Sequence, residues 1–255
     1  MSKLLQCIAE VQVAFMLLTR LPAGRLRKGA PELAAAKWAF PLAGLIVGGI
    51  LAGVYITMNS LGLPAGLAAI LALGVGVLIT GGLHEDGLAD CADGFGGGQT
   101  KDQKLAIMKD SRVGSYGVLA LILVIATRIM ALAALPASAQ TLISLISLAM
   151  VSRLMMVVCL NCLPSARAEG LGQQAGKDGG LSVVVAAGLC VPATLFSGSL
   201  ILFSLAVLCG AAVIVGWTAN RQIGGQTGDV CGAMQILSET AGWVCMTALL
   251  LPDTV

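Results

Sequence analysis

Four carboxylates lie within nine residues of the segment GGLHEDGLADCADGFGGG, which spans residues 81–98. They belong to Glu85, Asp86, Asp90 and Asp93, and glycines flank them on both sides. On a helix with 3.6 residues per turn, the three aspartates point within about 60° of one another, whereas Glu85 and His84 point elsewhere. Like charges at this spacing repel. If the preceding apolar helix continued into this segment, the carboxylates would also meet its negative C-terminal end. A bound cation relieves these conflicts, so the spacing predicts a metal site.

The ligand type indicates which cation this is. Carboxylate oxygens suit Mg²⁺, which commonly binds a few carboxylates together with phosphate oxygens. We therefore predict Mg²⁺ as a cofactor on Asp86, Asp90 and Asp93, with the same residues as the candidate catalytic groups. A solvated acidic turn is the alternative. His84 is the only histidine of the chain and is a candidate substrate contact, or it hydrogen-bonds a neighbouring loop.

A second segment, AIMKDSRVGSYG, combines cations with small residues. Lys109 and Arg112 flank Asp110 and Ser111, and Ser115 follows between two glycines. This pattern suits a phosphate group held against backbone N–H groups, so the residues from Lys109 to Arg112 are candidate substrate contacts. A basic anchor at the membrane edge is the alternative.

A third segment, NRQIGGQTGDVCGA, is rich in glycine, which allows close approach of the backbone. Arg221 supplies a planar fork for phosphate, and Gly225 and Thr227 are further candidate substrate contacts. Asp229 opens the last apolar segment; it is either the N-cap of a helix or a ligand of the metal or substrate. The polar segment 164–180 is either a mobile segment that orders over a substrate or a plain linker.

The composition indicates how these segments are held. The chain of 255 residues is 57% hydrophobic and 11% charged, and its mean hydropathy is +0.93, whereas a soluble domain has about 25% charged residues. We predict one integral membrane domain over residues 1–255, an all-α polytopic bundle. About seven spans are expected, since each needs about 20 apolar residues: 38–58, 63–83, 114–135, 142–163, 181–196, 200–217 and 230–251.

An amphipathic helix is predicted before these spans. Lys3, Gln6, Glu10 and Arg20 fall close to one helical stripe, so the helix should lie at the membrane interface, in contact with lipid. A true span is the alternative. Only Lys3 precedes the first apolar run, and Glu10 interrupts it, so no cleavable signal peptide is expected.

The segments outside the predicted spans alternate between basic segments and segments without Lys or Arg. Thirteen of the fifteen Lys and Arg residues fall in the N-terminal arm and in segments 85–112, 164–180 and 218–229. The positive-inside rule therefore places these segments, and the candidate site, at the cytoplasmic face. The chain has few aromatic residues and no basic block, so nucleic acid is not an expected partner.

Three charged residues lie inside predicted spans: Arg128, Arg153 and Glu239. Arg153 and Glu239 are each about ten residues from the cytoplasmic end of their span, which is roughly 15 Å deep at 1.5 Å per residue. We therefore predict that these two residues pair. Arg128 is expected nearer the outer face, as a poorer match.

The three motifs together resemble those of the cobalamin synthase family, the adenosylcobinamide-GDP ribazoletransferases. The resemblance extends from TRLP near the N-terminus to GGQTGD before the last span. The first motif of the family has the form HxDGLADxxDG, in which Glu85 stands at a variable position. The matching residues are His84, Asp86, Gly87, Leu88, Ala89, Asp90, Asp93 and Gly94.

The resemblance implies an activity, a cofactor and a location. The family joins adenosylcobinamide-GDP to α-ribazole or its 5′-phosphate and releases GMP, the final nucleotide-loop step of coenzyme B12 synthesis, with Mg²⁺, at the cytoplasmic side of the bacterial inner membrane. The aspartates would then hold Mg²⁺ on the diphosphate, Lys109, Arg112 and Arg221 would hold phosphate oxygens, and Asp93 is the candidate general base.

Two other functions remain open at this stage. One is a Mg²⁺-dependent membrane phosphotransferase of the CDP-alcohol type, although its usual DxxDGxxAR spacing is absent. The other is a cation transporter with the acidic cluster at its entrance. The sequence predicts no oligomeric state.

Overall fold

The computed structural model describes residues 3–26, 30–176, 178–199 and 201–250, and within them the regular structure is helical. This confirms the all-α prediction. A 3₁₀ turn, Lys37–Ala39, joins the short helix Leu33–Ala36 to the long helix Phe40–Ser60. The helices are α1 Lys3–Leu18, α2 Leu33–Ala36, α3 Phe40–Ser60, α4 Ala65–Thr80, α5 Leu83–Gly97, α6 Lys101–Ile107, α7 Ser115–Ala134, α8 Ala139–Cys162, α9 Leu171–Gln174, α10 Leu181–Phe196, α11 Ile201–Ile223 and α12 Gly228–Leu250.

Within the described residues, four segments are long and apolar enough to cross a membrane: Leu33–Ser60, Ser115–Ala134, Ala139–Cys162 and Ile201–Ile223. The helices α4 and α5 add a fifth span only if they are taken together, across a bend of 88°. The surface of α7 exposes large apolar side chains, including Leu119, Ile122 and Leu123, as contact with lipid requires. The chain is therefore a multi-pass membrane protein.

The number of seven spans is not confirmed. The helices α4 and α10 have 16 residues each, fewer than the roughly 20 that a span needs. The helix α12 has 23 residues, but Gln235, Ser238 and Glu239 make its centre polar. Leu200 and Leu251, at the ends of two predicted spans, lie outside the described residues, as do Arg27, Lys28, Lys177 and the tail 252–255.

The first helix is confirmed, and Lys3, Gln6 and Arg20 of the polar stripe are exposed. Glu10 is the buried residue of the stripe, and its Oε2 accepts a hydrogen bond of 2.7 Å from Nε1 of the half-buried Trp38. Leu4, Ile8 and Met16 are exposed as well, and the indole N–H of Trp38 finds its acceptor in Glu10.

The helix α12 is central, because it contacts α5, α7, α8 and α11. The helix α3 packs closely on α8, since Gly44 has no side chain: a Cβ there would lie 2.4 Å from Ala149 O. At one end of the bundle, α5 lies against both α7 and α12. This packing places the acidic helix α5 beside the N-terminal turn of α12.

Candidate active site

A sharp bend sets the direction of the acidic helix. Gly81 and Gly82 both have positive φ, 68° and 71°, a conformation that favours glycine, and α5 begins at Leu83 after an 88° turn. Glu85 and Asp86 therefore lie in the first turn of α5, at its positive end. The expectation that they would meet the negative end of a continuous helix is wrong, because the two glycines end α4 before them.

Close packing brings a second aspartate, Asp229, to this turn. A Cβ on Gly87 would lie 2.7 Å from Asp229 O, and one on Gly232 would lie 3.3 Å from His84 Cα. The absence of side chains at these two glycines lets α5 approach the first turn of α12. As a result, Asp86 and Asp229 line one cavity of about 90 Å³.

Asp90 belongs to the same group of carboxylates. Burial, followed by the negative charges of Asp229 and Asp86, raises its pKa from 3.8 to about 6. The charge of Arg167 opposes this rise. The carboxylate group, as we call Asp86, Asp90 and Asp229, thus carries more negative charge than Arg167 balances and offers only oxygen ligands, which fits a divalent cation. No three metal-ligating side chains of the described residues already surround a common point, so a bound cation would have to draw these carboxylates together.

Asp93 has a contact that the spacing did not predict. It is 8% exposed, and its two carboxylate oxygens accept hydrogen bonds from Gly114 N, at 2.7 Å, and Gly117 N, at 2.9 Å. A Cβ on either glycine would lie 2.4 Å from an Asp93 oxygen. These N–H groups, expected to hold a phosphate, instead hold an aspartate that caps the N-terminus of α7. The predicted roles of Asp93 as metal ligand and general base stay predictions.

Thr227, not Asp229, caps α12. Its Oγ1 accepts a hydrogen bond of 3.2 Å from Val230 N. The alternative of Asp229 as the N-cap is therefore wrong, because Asp229 is already the second residue of the helix. Its carboxylate instead binds the guanidinium of Arg167, with Oδ2 3.2 Å from Nη1.

The polar loop that follows α8 is fixed to the third motif. Gln226 N donates to Pro164 O at 2.8 Å, and Ala166 N donates to Gln226 O at 2.9 Å. The side chain of Gln226 is buried, and its Nε2 donates to Gly172 O. Gly225, with φ of 156°, leaves no room for a Cβ, which would lie 2.1 Å from Pro164 O. Gly225 is therefore required by this contact between backbones.

Arg167 is the residue of the site that the sequence analysis missed. It lies in the polar segment 164–180, for which no partner was predicted. The only signal was a single arginine in a glycine-rich segment at the predicted cytoplasmic face, which is weak.

The side chains predicted to contact phosphate do not bond to the carboxylate group. Lys109, Ser111 and Arg112 are exposed. Arg112 binds Asp110 at 2.7 Å, and these hydrogen bonds lower the Asp110 pKa to about 2. Arg221 lies over the ring of Trp217, 4.2 Å from its centroid. Among the residues that the structure describes, none of these side chains bonds to the aspartates of α5 or to Asp229.

His84, in the first turn of α5, is buried and only 2% exposed. It lines the cavity shared by Asp86 and Asp229 and a smaller one beside Arg128, Arg153 and Glu239. Its Nε2 has no hydrogen-bond partner in the described part of the chain. Its role as a substrate contact stays a prediction.

Glu239 lies between the two arginines inside the bundle. Its Oε2 is 3.4 Å from Arg153 Nη1, which confirms the predicted pair. Its Oε1 is only 2.8 Å from Arg128 Nη2, so the expectation of Arg128 as a poor partner is wrong. Counting residues from the span ends missed this contact because Arg128 reaches across to α12 and also covers the Trp243 ring.

The comparisons with known proteins show the family of the chain. The family described as cobalamin-5-phosphate synthase matches residues 10–247. The chain belongs to this family. It is similar to the adenosylcobinamide-GDP ribazoletransferase of Bradyrhizobium diazoefficiens, which is 43% identical over 91% of this chain and 90% of that protein. The enzymes of the same name from Azorhizobium caulinodans and Mesorhizobium japonicum are 42% and 41% identical, over 92% of this chain and 93% and 92% of theirs. No solved structure matches the chain.

Membership in the cobalamin-5-phosphate synthase family confirms the resemblance carried by the three motifs. It favours the transferase over the CDP-alcohol phosphotransferase and the cation transporter. The matched region includes α5, the loop 164–176 and nearly all of α12.

Proposed function

We propose that this protein joins adenosylcobinamide-GDP to α-ribazole or its 5′-phosphate, giving adenosylcobalamin or its 5′-phosphate and GMP. The observation that supports this most is the meeting of Asp86, Asp90 and Asp229 at the α5–α12 contact, in a chain whose relatives carry the name of this activity. A group of carboxylates at the end of a membrane bundle suits a charged diphosphate substrate.

The site is proposed to face the cytoplasm at the bacterial inner membrane. Three predicted cytoplasmic segments meet at the α5 end of the bundle. Lys104 of α6 hydrogen-bonds Gln222 of α11, and Gln226 binds the loop after α8. The positive-inside rule supports the same side for all three.

The proposed cofactor is Mg²⁺, held by Asp86, Asp90 and Asp229. Their oxygen-only chemistry, and the burial and mutual repulsion that together raise the pKa of Asp90 to about 6, fit such a cation. When bound, Mg²⁺ supplies positive charge that polarises the phosphoryl group and neutralises the departing phosphate.

The protein groups have separate tasks in the proposed reaction. A ribose hydroxyl of the α-ribazole attacks the phosphorus attached to the cobinamide; a new P–O bond forms while the P–O bond to GMP breaks. The proton of the hydroxyl passes to a carboxylate. Asp93 is poorly placed to accept it, because both of its oxygens already bind backbone N–H groups. Its contribution in this proposal is to hold α7 against α5.

The test is the complete reaction with purified protein in lipid nanodiscs. Adenosylcobinamide-GDP, Mg²⁺ and either acceptor should give equal amounts of GMP and a corrinoid product whose mass includes the ribazole. The acceptor that reacts faster identifies the preferred substrate. Absence of both products with either acceptor would contradict the proposal.

A further inference from the structure

The guanidinium of Arg167 has one nitrogen bound to Asp229 and one nitrogen without a hydrogen-bond partner among the described residues. Its Nη1 lies 3.2 Å from Asp229 Oδ2, and its side chain is 25% exposed. Its Nη2 is shielded from solvent and has no hydrogen-bond partner among the described residues. A guanidinium donor that is buried without an acceptor costs free energy, so this atom is suited to a ligand that brings an acceptor.

The backbone around Arg167 cannot easily move away. Ala166 N donates to Gln226 O at 2.9 Å, and Gln226 Nε2 donates to Gly172 O at 3.0 Å. Hydrogen bonds thus fix the loop on both sides of Arg167, and Gln226 itself is 1% exposed. The guanidinium can change partners within the site while its backbone stays in place.

The net charge of the site indicates which kind of ligand would be the second partner of Arg167. The carboxylate group and Arg167 together carry a formal excess of two negative charges, which one divalent cation balances. A diphosphate substrate then brings further negative charge that needs its own partner. Arg167 forms an ion pair with this group, whereas Arg112 binds Asp110 and Arg221 covers Trp217.

We propose that Arg167 is a substrate-binding residue that exchanges partners. In the free protein its guanidinium binds Asp229. When a divalent cation takes Asp229, the guanidinium turns to the phosphate oxygens of a substrate that contains a nucleoside diphosphate. Its planar fork suits two such oxygens. This assignment rests on the proposed function.

The exchange predicts opposite effects on two ligands. In Arg167→Gln, Mg²⁺ alone should bind as tightly as in the wild type or more tightly, because a competing cation has left Asp229. Adenosylcobinamide-GDP with Mg²⁺, measured without an acceptor, should bind at least about tenfold more weakly, since a charge-assisted hydrogen bond is lost. Arg167→Lys, which keeps the charge but not the fork, should lose less.

Isothermal titration in nanodiscs measures both affinities. Arg25→Gln is the matched control, because Arg25 is exposed and distant in sequence from the site; it should change neither affinity. Equal weakening of both ligands in Arg167→Gln, or unchanged substrate affinity, would overturn the assignment. If Arg167→Gln does not fold, substrate affinity in Arg167→Lys equal to that of the wild type overturns it. A wild-type protein that fails to bind adenosylcobinamide-GDP overturns the proposed function and the assignment with it.

Discussion

At the scale of single residues, the pKa of the Asp90 carboxyl is shifted toward neutral pH. Burial and the charges of Asp229 and Asp86 raise its pKa to about 6. Because the pKa in the folded protein lies above its ordinary value of 3.8, ionisation of Asp90 destabilises the fold as pH rises between these two values. A bound cation should remove that cost, since it favours the carboxylate.

The first prediction is therefore a proton–metal competition. The affinity for Mg²⁺ should fall as pH drops below about 6, by up to about tenfold per pH unit, because a proton must leave Asp90 before the cation binds well. Mg²⁺ titrations between pH 5 and pH 8 measure this. Asp90→Asn should bind weakly with a flatter profile. A wild-type affinity that does not change with pH would contradict this role of Asp90.

The second prediction concerns Asp93 as a cap. Asp93→Ala leaves the backbone N–H groups of Gly114 and Gly117 without their acceptor and should cost about 1–2 kcal/mol of stability, as the loss of other helix caps does. Thermal unfolding in detergent measures this. Asp102→Ala is the control, since Asp102 is exposed in the first turn of α6. Equal, small effects of the two substitutions would mean that Asp93 does not hold α7.

The residue types and spacing predicted the acidic site but not the different contacts that its aspartates make. Asp86, Asp90 and Asp93 share a helical stripe, so the sequence indicated one common role. Gly114 and Gly117 approach that stripe only in the folded chain, where their N–H groups bind Asp93. Asp229 enters from α12, 143 residues after Asp86 and 139 after Asp90. Its use depends on helix packing that no local pattern encodes.

At the scale of secondary-structure elements, the contact of α5 with α12 builds the site. The third prediction is that Gly87→Ala lowers activity at least tenfold, because its Cβ would lie 2.7 Å from the backbone oxygen of Asp229 and force the helices apart. A displacement of about 1 Å is enough for such a loss. GMP release measures it.

Gly74→Ala is the control for this substitution. Gly74 lies in α4, and a Cβ there would meet nothing within 4 Å. The substitution should leave activity unchanged and, by helix propensity, stabilise the protein by up to about 1 kcal/mol. Full activity of Gly87→Ala would mean that the close approach of α5 and α12 does not position the carboxylates.

The bounds of most helices could be predicted from hydropathy, but the way in which the helices and loops pack against one another could not. The predicted span 181–196 has the bounds of α10, and 114–135 differs from α7 by one residue at each end. The bend at Gly81 and Gly82 was missed because both residues are uncharged and small, like the apolar helix that they end. The loop after α8 was taken as a linker or mobile segment, since its bonds to Gln226 are mostly made by the backbone.

At the scale of the whole molecule, Glu239 joins helices that are far apart in sequence. It binds Arg128 of α7 and Arg153 of α8 from its place on α12. A charge at mid-membrane costs about 2.5–3.5 kcal/mol on insertion scales, so each of these residues depends on the others. Two of the three helices that they link, α7 and α12, lie against α5.

The fourth prediction ranks the losses of stability that substitutions of these three charged residues cause. Glu239→Gln leaves two buried arginines without a counter-charge and should destabilise the protein by about 3–5 kcal/mol. Arg128→Met and Arg153→Met should each cost less, because Glu239 keeps one partner. Double-mutant cycles in thermal unfolding should show stronger coupling of Glu239 to Arg128, at 2.8 Å, than to Arg153, at 3.4 Å. Additive losses would mean that these charges do not interact. Glu32→Gln, at an exposed glutamate, is the control.

The central claim is that the carboxylate group at the α5–α12 contact performs a Mg²⁺-dependent transfer, and GMP release by charge-removing variants tests it most directly. With adenosylcobinamide-GDP, acceptor and Mg²⁺, the wild type should release GMP. Asp86→Asn, Asp90→Asn and Asp229→Asn should each lose at least about a hundredfold in rate while remaining folded, since the amide removes a ligand charge at constant volume. Glu85→Gln, off the aspartate stripe, should be milder. Wild-type rates in Asp90→Asn, or an equal loss in Glu85→Gln, would contradict the account.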